Sequence, residues 1–410
     1  MKQAEYPAAG SYADGFEGVA QVFTQHLREG REIGAGMSVY HRGERVVHLW
    51  GGLADIKAGT PWLEDTRAVL FSATKGLTAM ALQLIADRGL LDWEAPVASC
   101  WPAFAQAGKE SITIRQALQH QAGLAALDGR LSLEDCVLPE RRDKVREVLE
   151  TQRPNWVPGT SQGYHAVTFG MYAREIFERL AGEPLGPFLQ REFFLPLGAK
   201  VSLGTPASED ARVSTLYPPN MALRVGRMMV AAVQGTTNEG RVARAALAPR
   251  SVGRRAFLNP NPGPTGMLAY NAIPARRAEL AWASATGSAD GLARAYLPFA
   301  HGGRFAGRTF FRPEIIEPLR QRQSWLERDR VMQKPLGFSQ GFLKEDRGVF
   351  SPHISSFGHP GMGGTLGWCD PDHELTIGYV INGLDWHVRS PRALALCRAL
   401  YDCEPLRDSP

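Results

Sequence analysis

The sequence predicts a mixed α/β fold of the α+β kind: one antiparallel sheet built from both chain ends and flanked by helices, plus a mainly helical lobe. Three observations point there. β-rich runs stand in pairs near the N-terminus, Gly36–Tyr40 with Val46–Trp50, and near the C-terminus, Gly364–Cys369 with Leu375–Ile381. Helical spacing dominates the stretch that follows the first pair. The segment from about 180 to 330 is rich in Pro, Arg and Gly and reads as short helices and long loops. At 410 residues the chain is too long for one small core. Residues 1–75 and 290–410 are expected to form a discontinuous sheet lobe and residues 76–289 the helical lobe. A ligand is expected in the cleft between them.

Each element has a local cause. Phe16, Val19, Ala20, Phe23 and Leu27 recur at three- and four-residue steps, which predicts a helix over Phe16–Glu29. His41-Arg42-Gly43-Glu44 is a polar turn between the first two β-rich runs. Leu77, Met80, Ala81, Leu84 and Ile85 make a stripe that predicts a helix from Ser72 to Arg88, ended by Gly89. A short helix is expected after Thr113, and another from Gly163 through Leu180, closed by Gly182. Asp370-Pro371-Asp372-His373 is a turn between the last two strands, and Arg392–Tyr401 a closing helix.

Composition narrows the function. Hydrophobic residues make up 44% and charged residues 21%, which excludes disorder, collagen and coiled coil. Lys and Arg number 46 against 42 Asp and Glu, a net +4 with no Lys/Arg stripe, so no nucleic-acid partner is expected. The five Cys are an odd, scattered set without a C-x-x-C pair, which suits a reducing, cytoplasmic compartment. The first residues lack the apolar core of a signal peptide, and no run of about 18 apolar residues predicts a membrane span.

Three serines compete as nucleophile. Gly159-Thr160-Ser161-Gln162-Gly163 and Gly337-Phe338-Ser339-Gln340-Gly341 both match G-x-S-x-G, whose serine belongs on a strained strand-to-helix turn. Ser161 follows a segment that Pro154 and Pro158 keep out of a sheet interior. Ser339 is flanked by Leu336 and Phe342-Leu343, which read as one strand that enters no helix. The third candidate, Ser72-Ala73-Thr74-Lys75, opens the best helix in the sequence. Residues three apart share a helix face, so Lys75 can reach the Ser72 hydroxyl. The positive helix N-terminus and burial both favour the neutral amine a base requires. The bland alternative is an N-cap serine beside a solvated lysine.

Distant segments add to this. Tyr164, expected at the head of a helix, can project into the cleft, where a cationic Lys75 would depress its phenol pKa and let it shuttle the Ser72 proton. Alternatively it is a packing tyrosine. Phe357-Gly358-His359-Pro360-Gly361-Met362-Gly363-Gly364 precedes a strand, and a backbone N–H there, with that of Ser72, can make an oxyanion hole. His165 adjoins Tyr164 but would point away from it on a helix. His120 is expected to anchor a loop, and His359 is the rival base of a Ser–His enzyme. Trp282–Gly287 and Trp386 are candidates for cleft walls, or for packing. No spacing predicts a catalytic zinc, and no P-loop or G-x-G-x-x-G predicts a nucleotide, so no metal or other cofactor is expected.

In this order the motifs resemble the serine β-lactamase and penicillin-binding-protein superfamily, most closely the family VIII carboxylesterases, which look like class C β-lactamases. Phe71–Lys75 with Gly89-Leu90-Leu91-Asp92 matches the nucleophile helix and its exit. Thr113–Leu124 matches a structural segment, Pro158-Gly159-Thr160 with Tyr164-His165-Ala166 the second motif, and Phe357–Gly364 with Leu366-Gly367-Trp368 the third. The resemblance implies a serine β-lactamase-like fold, with Ser72 acylated, Lys75 activating it and Tyr164 transferring protons. His359-Pro360-Gly361 stands where β-lactamases carry Lys-Thr-Gly, which puts the second oxyanion N–H on Met362. Ala166 stands where class C enzymes carry Asn. Both departures favour a small, uncharged ester as the substrate over a β-lactam or a D-Ala-D-Ala peptide. An acyltransferase, or a binding protein that keeps the fold without catalysis, would carry the same motifs. Oligomeric state is left open.

Overall fold

The computed structural model describes residues 7–219, 221–235 and 237–407. Its main element is a ten-stranded sheet whose consecutive pairs are antiparallel. From the N-terminal end come β1 (Ala9–Tyr12), β2 (Gly34–His41) and β3 (Glu44–Asp55), with the two-residue strand Thr60–Pro61 beside β3. The C-terminal end supplies β4 (Ser324–Leu326), β5 (Leu336–Ser339), β6 (Phe342–Lys344), β7 (Phe357–Pro360), β8 (Leu366–Asp370) and β9 (Leu375–Ile381). Their order across the sheet is β1-β3-β2-β9-β8-β7-β6-β5-β4. The chain ends meet at the β2–β9 pair, with Ile377 opposite Val39. The expected sheet from both termini is therefore present.

Helices cover both faces of the sheet, which is why β2 is buried at every position. Helix α1 (Glu17–Arg28) lays Val19, Ala20, Phe23 and Leu27 against β3 and the last long helix, Pro391–Tyr401. On the other face lies a helix over Ala289–Ala300, capped by the Ser288 hydroxyl. It comes so close that a Cβ on Gly378 of β9 would sit 2.1 Å from the Ala289 carbonyl oxygen.

Helix α2 (Ala73–Asp87) is buried from Ala73 through Ala86, the pattern of a helix apolar all round and enclosed on every side. Burying each of Leu77, Met80, Leu82 and Ile85 contributes about 1.5–3 kcal/mol. It packs between β6 and β7 and the helix Thr168–Ala181, and Gly89 leaves it at φ +73°. The short helix Ile114–Leu118 starts from a Thr113–Gln116 capping box. The stretch that yielded no clear pattern from the sequence holds helices of 14, 10 and 7 residues, Met221–Gln234, Asn238–Leu247 and Val252–Leu258.

Two expectations need correction. Ser339 does not lie in a continuous strand. Gln340 (φ +44°) and Gly341 (φ +92°) turn the chain into a hairpin between β5 and β6. Phe357–Pro360 does not merely lead into a strand but is one, β7, paired with β8. Among the described residues no helix is long and apolar enough to cross a membrane.

Candidate active site

The site begins with a strained turn. Phe71, immediately before Ser72, has φ +44°, a conformation costly for a bulky residue. Its ring is buried edge-on against Tyr270, with centroids 5.2 Å apart, so packing holds the strained backbone. The turn brings Ser72 to the N-cap of α2, but its hydroxyl caps nothing. Instead Lys75 Nζ lies 3.0 Å from Ser72 Oγ and 3.3 Å from the Trp282 carbonyl oxygen. Lys75 is fully buried with no carboxylate among its partners, and burial holds its pKa well below the ordinary lysine value. The bland alternative of a solvated lysine fails on that burial.

Tyr164 reaches the same serine from across the chain. Its hydroxyl is near enough to the Ser72 side chain for that group to lower its pKa, and Lys75 Nζ lies 5.1 Å from the centre of its ring. The expected helix does not begin at Gly163 but at Thr168, so Tyr164 sits on an irregular segment. What fixes that segment is Asp329, fully buried, whose Oδ1 accepts from the N–H of Tyr164 at 3.0 Å and from those of Val331 and Met332 at 2.8 Å each. Asp329 Oδ2 accepts from Gln162 Nε2 at 3.3 Å. The phenol pKa is not depressed. Burial pushes it up, and the Ser72 side chain and the Arg389 charge offset only part of that cost.

The histidines separate cleanly. His165 ties loops together, its Nδ1 2.6 Å from the Gly163 carbonyl and its Nε2 accepting from the Leu124 N–H at 3.0 Å. His120 Nδ1 accepts from the His165 N–H at 2.9 Å, the anchoring role expected of it. His359 on β7 lies beside the Tyr164 ring, 5.9 Å between centres, with Nδ1 2.8 Å from the Pro360 carbonyl. Burial, then Lys75, holds its pKa well below normal.

Beyond β7, Gly361 donates its N–H to the Thr365 carbonyl at 2.7 Å, and a Cβ there would lie 2.3 Å from the Leu70 carbonyl oxygen. That close approach sets Gly361, the residue before the 3-10 turn Met362–Gly364, against Leu70, two residues before Ser72. Among the described residues, the Ser72 N–H has no backbone acceptor. The rival serines are occupied elsewhere: Ser161 Oγ accepts from Arg330 Nε at 2.9 Å, and buried Ser339 donates to the Pro318 carbonyl at 3.1 Å.

Residues 19–399 match the beta-lactamase family. The chain belongs to that family. It is 34% identical over 362 residues to the esterase/beta-lactamase LipL of Mycobacterium tuberculosis, covering 87% of this chain and 78% of LipL. A family VIII carboxylesterase of known structure superposes with a TM-score of 0.80 at 31% identity, over 97% of this chain and 99% of that one. A penicillin-binding-protein homologue from Caulobacter crescentus gives 0.81 at 32% identity, over 96% and 99%. Within this beta-lactamase fold, Asp329 escaped the sequence pattern altogether, and no signal in the sequence singles it out. Phe71 was read as part of the nucleophile motif but not as a strained residue, and the Trp282 segment, a candidate cleft wall, borders the site through its backbone oxygen.

Proposed function

We propose that the protein is a serine carboxylesterase that cleaves small or short-acyl esters through an acyl-Ser72 intermediate. The observation that carries this is the buried Lys75 amine, 3.0 Å from the Ser72 hydroxyl and without a carboxylate to keep it charged. Neutral Lys75 takes the Ser72 proton as Oγ attacks the ester carbonyl. The oxyanion rests on the N–H groups of Ser72 and Met362, with Gly361 and His359 lining that side. Tyr164, kept protonated by its raised pKa, gives its proton to the leaving alkoxide and recovers one from the Lys75 ammonium. Water then attacks the acyl-enzyme, its proton returning through Tyr164 and Lys75 as Ser72 is released. The esterase names of LipL and of the superposed carboxylesterase support ester chemistry.

β-Lactam hydrolysis is the second reading, favoured by the other half of the LipL name. A fluorophosphonate is expected to label Ser72, read by peptide mass spectrometry, and turnover of a short-chain nitrophenyl ester to exceed that of a chromogenic cephalosporin. Labelling of Ser161 or Ser339 would overturn the mechanism, and faster lactam turnover the substrate class.

A further inference from the structure

The hairpin joining β8 to β9 carries a cluster that the chemistry at Ser72 does not use. Asp370, the last residue of β8, is fully buried, and Asp370 Oδ2 lies 2.7 Å from His353 Nδ1 and 3.8 Å from His373 Nδ1. The two imidazoles stack with centres 4.4 Å apart. His373 is 6% exposed, and neither of its ring nitrogens has a hydrogen-bond partner among the described residues. His41, on β2 opposite Leu375, adds a further buried Nε2 without a hydrogen-bond partner among the described residues. Burying imidazole nitrogens without partners is costly unless something else satisfies them.

From these contacts we propose that His353, Asp370 and His373 form a binding site for one divalent transition-metal ion of the zinc class. Two imidazoles and a carboxylate are a donor set that suits such ions. Ligands about 2.0–2.1 Å from a tetrahedral metal stand about 3.3 Å apart; the two separations to Asp370 Oδ2, 2.7 and 3.8 Å, bracket that value, and since the three ligand atoms lie within 4.8 Å of one another the imidazoles close in on the ion by small ring movements. The ion takes the place of the proton between His353 and Asp370, and His353 rebinds through the lone pair that proton leaves. Ser351 Oγ and Tyr401 Oη, which donate to Asp370 Oδ2 at 2.8 and 2.7 Å, hold the carboxylate in place. Water completes the coordination on the half-exposed His353 side. The site lies four strand residues, about 13 Å, along β8 from the end near Gly361. It would therefore clip the hairpin to the 351–356 loop and the closing helix without taking part in ester cleavage.

The test uses full-length protein without an affinity tag, stripped with chelator and titrated with Zn²⁺ by calorimetry and with Co²⁺ by visible absorption. One ion per chain is expected to bind at micromolar or tighter Kd, with a rise in Tm, the d–d bands of a tetrahedral site, and unchanged ester turnover. His373→Ala and Asp370→Asn should each weaken binding at least tenfold. His373→Ala, which removes no satisfied hydrogen bond, should still fold, and circular dichroism checks this. Absence of stoichiometric Zn²⁺ or Co²⁺ binding to the folded protein overturns the proposal, as does binding that survives in folded His373→Ala.

Discussion

Replacing Asp329 by Asn should separate the geometry of Tyr164 from mere folding. Asp329 Oδ1 accepts three backbone N–H groups, from Tyr164, Val331 and Met332, in a buried pocket. A hydrogen bond to a charged group is worth about 1.5–3 kcal/mol, against about 0.5–1.5 for a neutral one. Losing the charge across three such bonds costs about 3 kcal/mol. Part of that returns, because burial already pushes the Asp329 carboxyl up and the amide no longer bears a buried charge. The new amide N–H₂ also faces Gln162 Nε2, a donor now 3.3 Å from Oδ2. The net expectation is a loss of about 2–3 kcal/mol by urea unfolding. If the Tyr164 hydroxyl shifts by about 1 Å, the chemical step slows about 10²-fold. With a short-chain nitrophenyl ester, kcat should fall while KM stays nearly constant, because no substrate contact is removed. A variant that loses the expected stability but keeps wild-type kcat would refute the assignment of Asp329 as a positioning residue.

Two further outcomes follow from the same site. Ester turnover should rise with pH to a plateau as the Lys75 amine, its pKa held low by burial, loses its proton; Tyr164, its pKa pushed up, should keep its proton and give no alkaline fall up to about pH 10. A bell centred near neutrality in kcat/KM would contradict these assignments. Gly76→Ala should destabilise the fold by about 1–2 kcal/mol and lower kcat, because the new Cβ would lie 2.3 Å from Tyr296 Oη and 3.3 Å from His359 Cβ, outweighing a helix-propensity gain of about 1 kcal/mol. Unchanged stability in thermal unfolding would show that the contact relaxes freely.

What the sequence made legible were features with a local cause. Helix α1 was expected over Phe16–Glu29 and spans Glu17–Arg28, because its apolar face repeats at helical spacing. Strand Leu375–Ile381 and the first hairpin were readable because β-rich runs flank short polar turns. Ser72 and Lys75 share one helix turn, so their contact follows from spacing alone. Tyr164 was readable as a residue but not as a conformation, since its segment takes its shape from Asp329, 165 positions away. The turn at Gln340 was hidden because φ +44° at a non-glycine residue is imposed by the hairpin and is not a preference of glutamine. Helices between residues 180 and 330 such as Met221–Gln234 and Asn238–Leu247 do repeat apolar residues at helical spacing, but the Pro-, Arg- and Gly-rich segments around them hid their bounds.

The departure at His359 is consistent with its surroundings. The ionisable side chains acting on it, Lys75 and Arg389, are both basic, and it is 1% exposed. A lysine in its place would be desolvated as Lys75 is, with no acid to keep it charged, so it would present a neutral amine to a β-lactam carboxylate. Arg389 does not fill the gap, because Glu345 already holds its guanidinium and also binds Lys334. Arg330 donates to the Ser161 hydroxyl. Carboxylate recognition would therefore require moving a countercharge as well as changing residue 359, which is a rearrangement of the buried Glu345 network and not a point substitution. An uncharged ester asks for none of this, and the same low polarity that leaves a carboxylate unpaired holds the Lys75 pKa down, as the proposed activation of Ser72 requires.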